Sequence, residues 1–195
     1  LVSSRGLGDV YKRQDINTNP KNPIIGNRSF GESKENVTNK SIAYMSGLKS
    51  QNILSTAKHF PGHGDTSKDS HKTLPTIKHK RKRILKTELY PYKRLIDNGL
   101  PAIMVAHLEV PSIEKEKNLP SSLSKNINKI LKKNLKFKGL IITDALNMSG
   151  VTNYKKNNID LMSFVAGNDI LLMSNDPPLG ISKIKEAINS SAIPM

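Results

Sequence analysis

Four short apolar runs, each ending in polar or charged residues, restrict most strongly how this chain can fold. They are apolar on both faces, as is typical of parallel strands that are covered on both sides. Polar residues stand where the runs end, which in a parallel sheet is the edge that carries active sites. We predict strands over 52–60 (NILSTAKHF), 101–110 (PAIMVAHLEV), 139–146 (GLIITDAL) and 168–175 (NDILLMSN).

Segments with helical spacing of apolar residues lie between these runs. Ser33 can cap a helix that continues to Leu48, and Ser124 can cap another. Strand and helix in alternation predict an α/β domain with a parallel sheet, either doubly wound or a β/α barrel. Further helices are predicted over 84–96 with a break at Pro91, over 159–166, and over 181–190.

Composition narrows the classes of function. The chain has 195 residues, 36% of them hydrophobic, which is enough for the core of one domain. It has no cysteine, so disulfides and thiolate metal sites are excluded. The apolar runs are too short to span a bilayer. The net charge of +15 and the basic run 78–86 raise the question of nucleic acid, but aromatic residues are scarce, and we predict no nucleic-acid partner.

Residues 1–14 show no strand or helix period and lack the lysine, asparagine and isoleucine bias that follows. They also lack the apolar core of a signal peptide. We interpret them as a non-native segment and expect the domain to occupy residues 15–195. The compartment stays undetermined.

The segment KHFPGHGDTSKDSH, residues 58–71, carries most of the candidate chemistry. Its glycines match neither the G-x-G-x-x-G pattern nor the Walker pattern of phosphate-binding loops. Asp69 and His71 could form a pair in which the carboxylate fixes the imidazole tautomer for proton transfer, or they could merely tie down a surface loop. A metal site remains an alternative, with ligands from His59, His63, His71, Asp65 and Asp69.

Two other segments contain candidate functional residues. Asp144 follows an almost wholly apolar strand and could serve as nucleophile, metal ligand or helix N-cap. Arg28 lies between Gly26 and Gly31, where a multidentate donor suits an oxygen-rich ligand, although a surface ion pair is the simpler reading.

Taken in order, GNRSFG, AKHFPGHGDT, DSH, AHLEVP and ITDALNMSGV resemble the β-N-acetylglucosaminidases of glycoside hydrolase family 3. The resemblance spans Asp15 to about Met173. It implies a (β/α)8 TIM-barrel catalytic domain that removes terminal N-acetylglucosamine from β-linked glycosides, without a metal or other cofactor. Bacterial members often act in peptidoglycan recycling, so the expected partner is a muropeptide-type carbohydrate, in the cytoplasm or the cell envelope.

The resemblance also implies roles for individual residues. Asp144 would be the nucleophile of a retaining mechanism, and His71, paired with Asp69, the general acid/base. The remaining expected residues belong to the sugar pocket: Arg28, Lys58 and His59 as ligands of sugar hydroxyls, with Asp15 and His107 at its border.

About five of the eight β/α units are recognisable, so we expect an incomplete fragment of the barrel domain. Three alternatives remain open. The chain could be a β-glucosidase-like member of the same family, it could be a non-catalytic carbohydrate-binding module, or phosphate could replace water as the acceptor.

Overall fold

The computed structural model describes residues 15–70, 73–154, 158–191 and 193. Over these residues the chain contains a three-stranded parallel sheet whose strands stand side by side in chain order, which confirms the predicted α/β class. The strands are β1 (Thr56–Phe60), β2 (Ala102–Val105) and β3 (Leu140–Thr143).

The middle strand is the centre of the core. All four residues of β2 are buried, as its apolar sequence predicted. Ala102 pairs with Leu140 and Val105 with Thr143 without a register shift, whereas the β1–β2 register shifts between Ala57 and Phe60. Since the strands are parallel, their carboxyl ends lie at one edge of the sheet.

The predicted strand at 168–175 does not form as a regular strand. The segment does lie beside β3, and Ile170 makes an isolated parallel bridge to Ile142. Further along, the N–H of Leu172 donates to the side-chain Oγ1 of Thr143 at 2.9 Å. That side-chain contact replaces a backbone ladder bond, so regular pairing stops there.

Seven α-helices are present in the described ranges, and the predicted helices are among them. Ser33 and Ser124 cap their helices as expected, accepting from the N–H groups of Asn36 at 3.3 Å and Ile127 at 3.2 Å. The helices are α1 (Lys34–Ser50), α2 (Arg81–Lys86), α3 (Tyr90–Asp97), α4 (Lys125–Lys129, continued by a π-helical turn at Ile130–Asn134), α5 (Ser149–Thr152), α6 (Ile159–Ala166) and α7 (Pro177–Asn189).

Two helix boundaries lie where the sequence predicted them. Pro91 lies in the first turn of α3, which separates α3 from α2, and Gly167 ends α6 with φ 101°. In the core, Phe60 of β1 makes an edge-to-face contact with Tyr92 of α3, at 5.1 Å between ring centroids. None of the helices that the structure describes is long and apolar enough to cross a membrane.

Candidate active site

The ends of the three strands meet at one edge of the sheet. The N–H of Ala106 donates to the carbonyl of Phe60 at 2.9 Å, and the N–H of Asp144 donates to the carbonyl of Val105 at 2.8 Å. The residues that follow β1, β2 and β3 are therefore neighbours. This edge gathers His59, His107 and Asp144, three of the residues that the sequence singled out.

A buried carboxylate–imidazole pair joins the segment before α1 to the end of β1. His59 Nδ1 lies 2.6 Å from Asp15 Oδ2. The N–H groups of His59 and His63 donate to the same carboxylate at 3.1 Å and 2.7 Å. Asp15 thus receives three donors while being almost completely buried.

Asp15 is ionised at neutral pH. Burial alone would raise its pKa because it disfavours the charged form, but attraction and hydrogen bonding from His59, with smaller contributions from His63, lower the pKa below the ordinary 3.8. An ionised carboxylate only accepts hydrogen bonds, so Nδ1 of His59 carries a hydrogen. We expected Asp15 at the border of the sugar pocket, and the structure places it against His59, where it fixes the orientation of the imidazole.

His63 is a neutral, fully buried histidine. Its Nδ1 lies 2.6 Å from Thr66 Oγ1 and its Nε2 lies 3.1 Å from Ser70 Oγ. Burial, reinforced by the neighbouring His59, lowers the pKa of His63 from 6.5 to about 4. We had considered His63 as a metal ligand, and here it ties the two halves of the loop together.

This buried histidine predicts a dependence of stability on pH. The unfolded chain protonates His63 near pH 6.5, whereas the folded protein resists protonation until about pH 4. The contribution of neutral His63 to stability is therefore fully present above pH 6.5. About 3 kcal/mol of the free energy of unfolding is lost as the pH falls to about 4. Urea unfolding across this range measures the loss as a decrease in the free energy of unfolding.

The matched variant for this experiment is His63→Gln. It removes the titrating group, so its free energy of unfolding should change less over the same pH range. The raised pKa of Glu88, caused first by burial, acts in the opposite direction in both proteins, so the difference between them isolates His63. Equal slopes for the two proteins would show that His63 does not control this pH range.

Asp144 is a half-buried carboxylate that stays ionised. Burial would raise its pKa, but attraction to His59 and His107, the N–H of Ala145, and attraction to Lys58 together hold the pKa below the usual 3.8. An anionic oxygen is thereby maintained at the sheet edge, as a nucleophile or a general base requires.

The alternative hypothesis, that Asp144 is a helix N-cap, is wrong. Helix α5 begins at Ser149, its N-cap residue is Met148, and no side chain caps it. Asp144 Oδ1 instead accepts from the N–H of Ala145 at 3.0 Å, directly after the strand.

His107 lies two residues beyond β2 and is completely buried. Its Nδ1 lies 2.7 Å from Ser122 Oγ, and its Nε2 lies 2.9 Å from the carbonyl oxygen of Ala145. We expected His107 near the sugar pocket. Its ring is adjacent to the nucleophile candidate, with both nitrogens bonded to protein atoms.

The first half of the loop after β1 is anchored on the segment before α1. Asn22 Nδ2 donates to the carbonyl of His63 at 2.7 Å, and Thr18 Oγ1 donates to Asp65 Oδ1 at 3.0 Å. The other oxygen of Asp65 contacts His79 Nε2. The start of the loop is thus held from two sides.

The second half of the loop lies against the segment that follows Asp144. The N–H of Gly150 donates to the carbonyl of Ser70 at 3.1 Å, and the N–H of Thr73 donates to the carbonyl of Asp69 at 2.9 Å. A Cβ added at Gly150 would come within 2.7 Å of the Ser70 oxygen and 3.1 Å of the Thr73 oxygen. His71, the predicted acid/base, falls outside the described residues.

Arg28 belongs to a short 3₁₀ turn, Gly26–Arg28, in the loop before α1. Its Nη1 donates to the carbonyl of Ile24 at 3.1 Å, and Asn22 Oδ1 accepts from the N–H of Ile24 at 2.9 Å. Because Asn22 also binds the His63 carbonyl, the loop that carries Arg28 is tied to the loop after β1.

Three of the residues considered for a metal site, all within the described ranges, are held in separate contacts. His59 binds Asp15, His63 binds hydroxyls, and Asp65 binds His79. Over the ranges that the structure describes, no three His, Asp or Glu side chains gather closely enough to hold a metal ion.

Some residues that build the site went unnoticed in the sequence. Ser122 lies in a polar run without a motif, and Gly150, although it belongs to the segment ITDALNMSGV, gives no local signal of a close approach. Only the position of Gly150 shortly after the strand-end Asp144 could have suggested a contact with a neighbouring loop.

Comparison with known proteins gives consistent matches. The family model for the glycosyl hydrolase family 3 N-terminal domain matches residues 14–195. The chain is 37% identical over 172 residues to beta-hexosaminidase A of Pseudoalteromonas piscicida, covering 82% of this chain and 29% of that protein. It is 34% identical over 168 residues to a beta-hexosaminidase of Neisseria meningitidis serogroup C, covering 84% and 45%.

A solved structure shows the same architecture. A glycoside hydrolase family 3 β-N-acetylglucosaminidase from Paenibacillus sp. strain FPU-7 superposes with a TM-score of 0.88 at 36% identity, over 94% of this chain and 36% of that one. The chain thus spans less than half the length of each of these three relatives.

Proposed function

Since the chain belongs to glycosyl hydrolase family 3, we propose that it removes terminal β-linked N-acetylglucosamine from glycosides with retention of configuration. The relatives named beta-hexosaminidase and the β-N-acetylglucosaminidase structure support this activity and substrate class. Peptidoglycan-derived muropeptides are the natural substrates that we propose, as in the recycling role expected from the sequence.

The reaction has two displacements. Asp144 attacks the anomeric carbon and forms a glycosyl ester, while the bond to the aglycone oxygen breaks and that oxygen takes a proton from His71. Water then attacks the same carbon, gives its proton to His71, and releases Asp144. Each step inverts the anomeric centre, so the sugar leaves with its original configuration.

The observation that carries the proposal is the ionised carboxylate of Asp144 at the shared edge of the strands. Burial raises its pKa, but His59, His107, the N–H of Ala145 and Lys58 together lower the pKa by more than burial raises it. A carboxylate that is held anionic and half-buried is suited to attack an oxocarbenium-like centre and to leave again.

The acid/base assignment rests on the family motif and on the loop around it. Ser70, the middle residue of the DSH motif, and Thr73, two residues after the motif, lie against Gly150 in the segment that follows Asp144. Asp69 and His71 would form the dyad, in which the carboxylate raises the basicity of the imidazole and sets its tautomer.

Sugar binding falls to the side chains around the carboxylate. Since Nδ1 of His59 binds Asp15, Nε2 is the ring atom that would contact a sugar hydroxyl. Lys58 and Arg28 would bind further hydroxyls as charged donors. Asp15 would contribute through His59.

We also propose that β1, β2, β3 and the segment beside β3 are consecutive parts of a (β/α)8 barrel. Right-handed β/α connections and active residues at strand ends are typical of that architecture. Residues 15–195 would then form part of the catalytic domain, with residues 1–14 outside it.

Release of p-nitrophenol tests the substrate class directly. The β-N-acetylglucosaminide should be cleaved at least about 100-fold faster than the β-glucoside, because a site that hydrogen-bonds an acetamido group leaves its own polar group unpaired when a hydroxyl takes that place. A faster β-glucoside would indicate the β-glucosidase-like alternative. Sugar phosphate formed in phosphate buffer would indicate phosphorolysis, and turnover of neither glycoside would refute the enzymatic proposal.

A further inference from the structure

His107 has a defined hydrogen-bonding geometry at the nucleophile. Its Nε2 lies 2.9 Å from the carbonyl oxygen of Ala145. A carbonyl oxygen only accepts, so Nε2 carries a hydrogen whether the ring is neutral or charged. The donor therefore points to the residue that immediately follows Asp144.

A second group holds the other side of the ring. Ser122, fully buried, places Oγ 2.7 Å from His107 Nδ1. The carbonyl of Ser122 accepts from Asn168 Nδ2 at 2.8 Å, and the same Nδ2 binds the carbonyl of Ser163 at 2.7 Å. The imidazole is thus attached through Ser122 to the end of α6, and its tilt is fixed.

The residue between His107 and the carboxylate is held at both ends. The N–H of Ala145 donates to Asp144 Oδ1 at 3.0 Å, and its carbonyl accepts from His107. Fixing both groups restricts φ and ψ of Ala145, so the direction in which its N–H holds Asp144 Oδ1 is set.

We propose that His107, supported by Ser122, is a positioning residue that orients the Asp144 carboxylate through Ala145. This inference rests on the proposed function, in which Asp144 attacks the anomeric carbon. The competing role is direct contact with the sugar. Full burial of His107 opposes it, because the ring would have to leave Ser122 and Ala145 to reach a hydroxyl.

Two conservative variants separate these roles. The side-chain amide of His107→Gln reaches the place of Nε2 and can still donate to Ala145, whereas that of His107→Asn reaches only the place of Nδ1. With the β-N-acetylglucosaminide we expect the Asn variant to lose about 100-fold in kcat with KM within about 3-fold, and the Gln variant to recover at least about 10-fold of that loss. Ser122→Ala should reduce kcat in the same direction by a smaller factor.

The opposite result would overturn the inference. A sugar contact predicts a raised KM with kcat retained, because uniform binding is lost. Equal activities of the Gln and Asn variants would also refute a role through the Ala145 carbonyl. Circular dichroism and thermal unfolding identify a variant that has not folded, and Ser122→Ala then decides the question.

A second readout does not need turnover. Carbon-13 NMR of the Asp144 carboxyl gives its titration in His107→Gln and His107→Asn, which both lack the imidazole and differ in the donor to the Ala145 carbonyl. His59 and Lys58 stand near this carboxyl in both variants, so its pKa should be higher in the Asn variant, where the N–H of Ala145 is no longer held toward Oδ1. Equal titrations of the two variants would contradict the positioning role even if no glycoside were cleaved, so failure of the inference and failure of the proposed function remain distinguishable.

Discussion

Replacing Asp144 with Asn should lower kcat/KM for the β-N-acetylglucosaminide by about 10⁴-fold, because the amide cannot form the glycosyl ester. The amide oxygen can still accept from the N–H of Ala145, so the fold should be preserved. The matched control is Asp97→Asn, the same change at an exposed position in α3, which should keep wild-type activity. Steady-state kinetics on the three proteins measures the effect.

Chemical rescue identifies the role of the carboxylate. In Asp144→Ala the missing carboxylate leaves room for azide. With the 2,4-dinitrophenyl glycoside, azide forms the new C–N bond from the vacated face as dinitrophenolate departs without needing a proton. The product should be the α-glycosyl azide. By contrast, Asp69→Ala and His71→Ala, which spare the nucleophile, should give the β-azide through the glycosyl ester.

A different outcome would point to another nucleophile. If the sugar's own 2-acetamido oxygen attacked the anomeric carbon, as in substrate-assisted families, azide would open that intermediate from the opposite face. A β-azide from Asp144→Ala would therefore contradict the assignment of Asp144.

The local elements of this fold were readable from the sequence because local signals determine them. Ser33 and Ser124 cap helices, Pro91 separates α2 from α3, and Gly167 ends α6. The strand predicted at 168–175 failed because its pairing depends on Thr143, whose hydroxyl accepts from a backbone N–H of that segment. A local sequence pattern carries no information about a side chain 29 residues away.

The candidate site, like the fold, was predictable only in part. Asp144 and His107 were found because polar residues at the ends of apolar strands stand out. That Asp15 binds His59, 44 residues away, does not follow from any spacing rule. Gly64 is a further case, because the PGHG sequence suggests a flexible turn and gives no sign of what lies next to it.

Gly64→Ala should destabilise the protein by about 3 kcal/mol or more, the upper range for overpacking, because no side chain has room there. A Cβ at this position would lie 1.9 Å from the carbonyl oxygen and 2.5 Å from the carbonyl carbon of Ile16. Both are backbone atoms, so no rotamer change relieves the clash, and the loop must move away from Ile16. That movement would stretch the bond from the His63 N–H to Asp15, at 2.7 Å, and the bond from Thr18 to Asp65, at 3.0 Å.

Gly47→Ala is the matched control. Gly47 is exposed in α1, and an added Cβ there meets no atom within 4 Å. Alanine should stabilise that helix by about 0.5–1 kcal/mol, so the two variants should shift the urea midpoint in opposite directions. Ile16 directly follows Asp15, the buried partner of His59, so moving the loop away from Ile16 should also disturb that pair, and Gly64→Ala should reduce glycosidase activity even where the protein remains folded. A Gly64→Ala protein with wild-type stability would mean that the PGHG turn does not lie against Ile16.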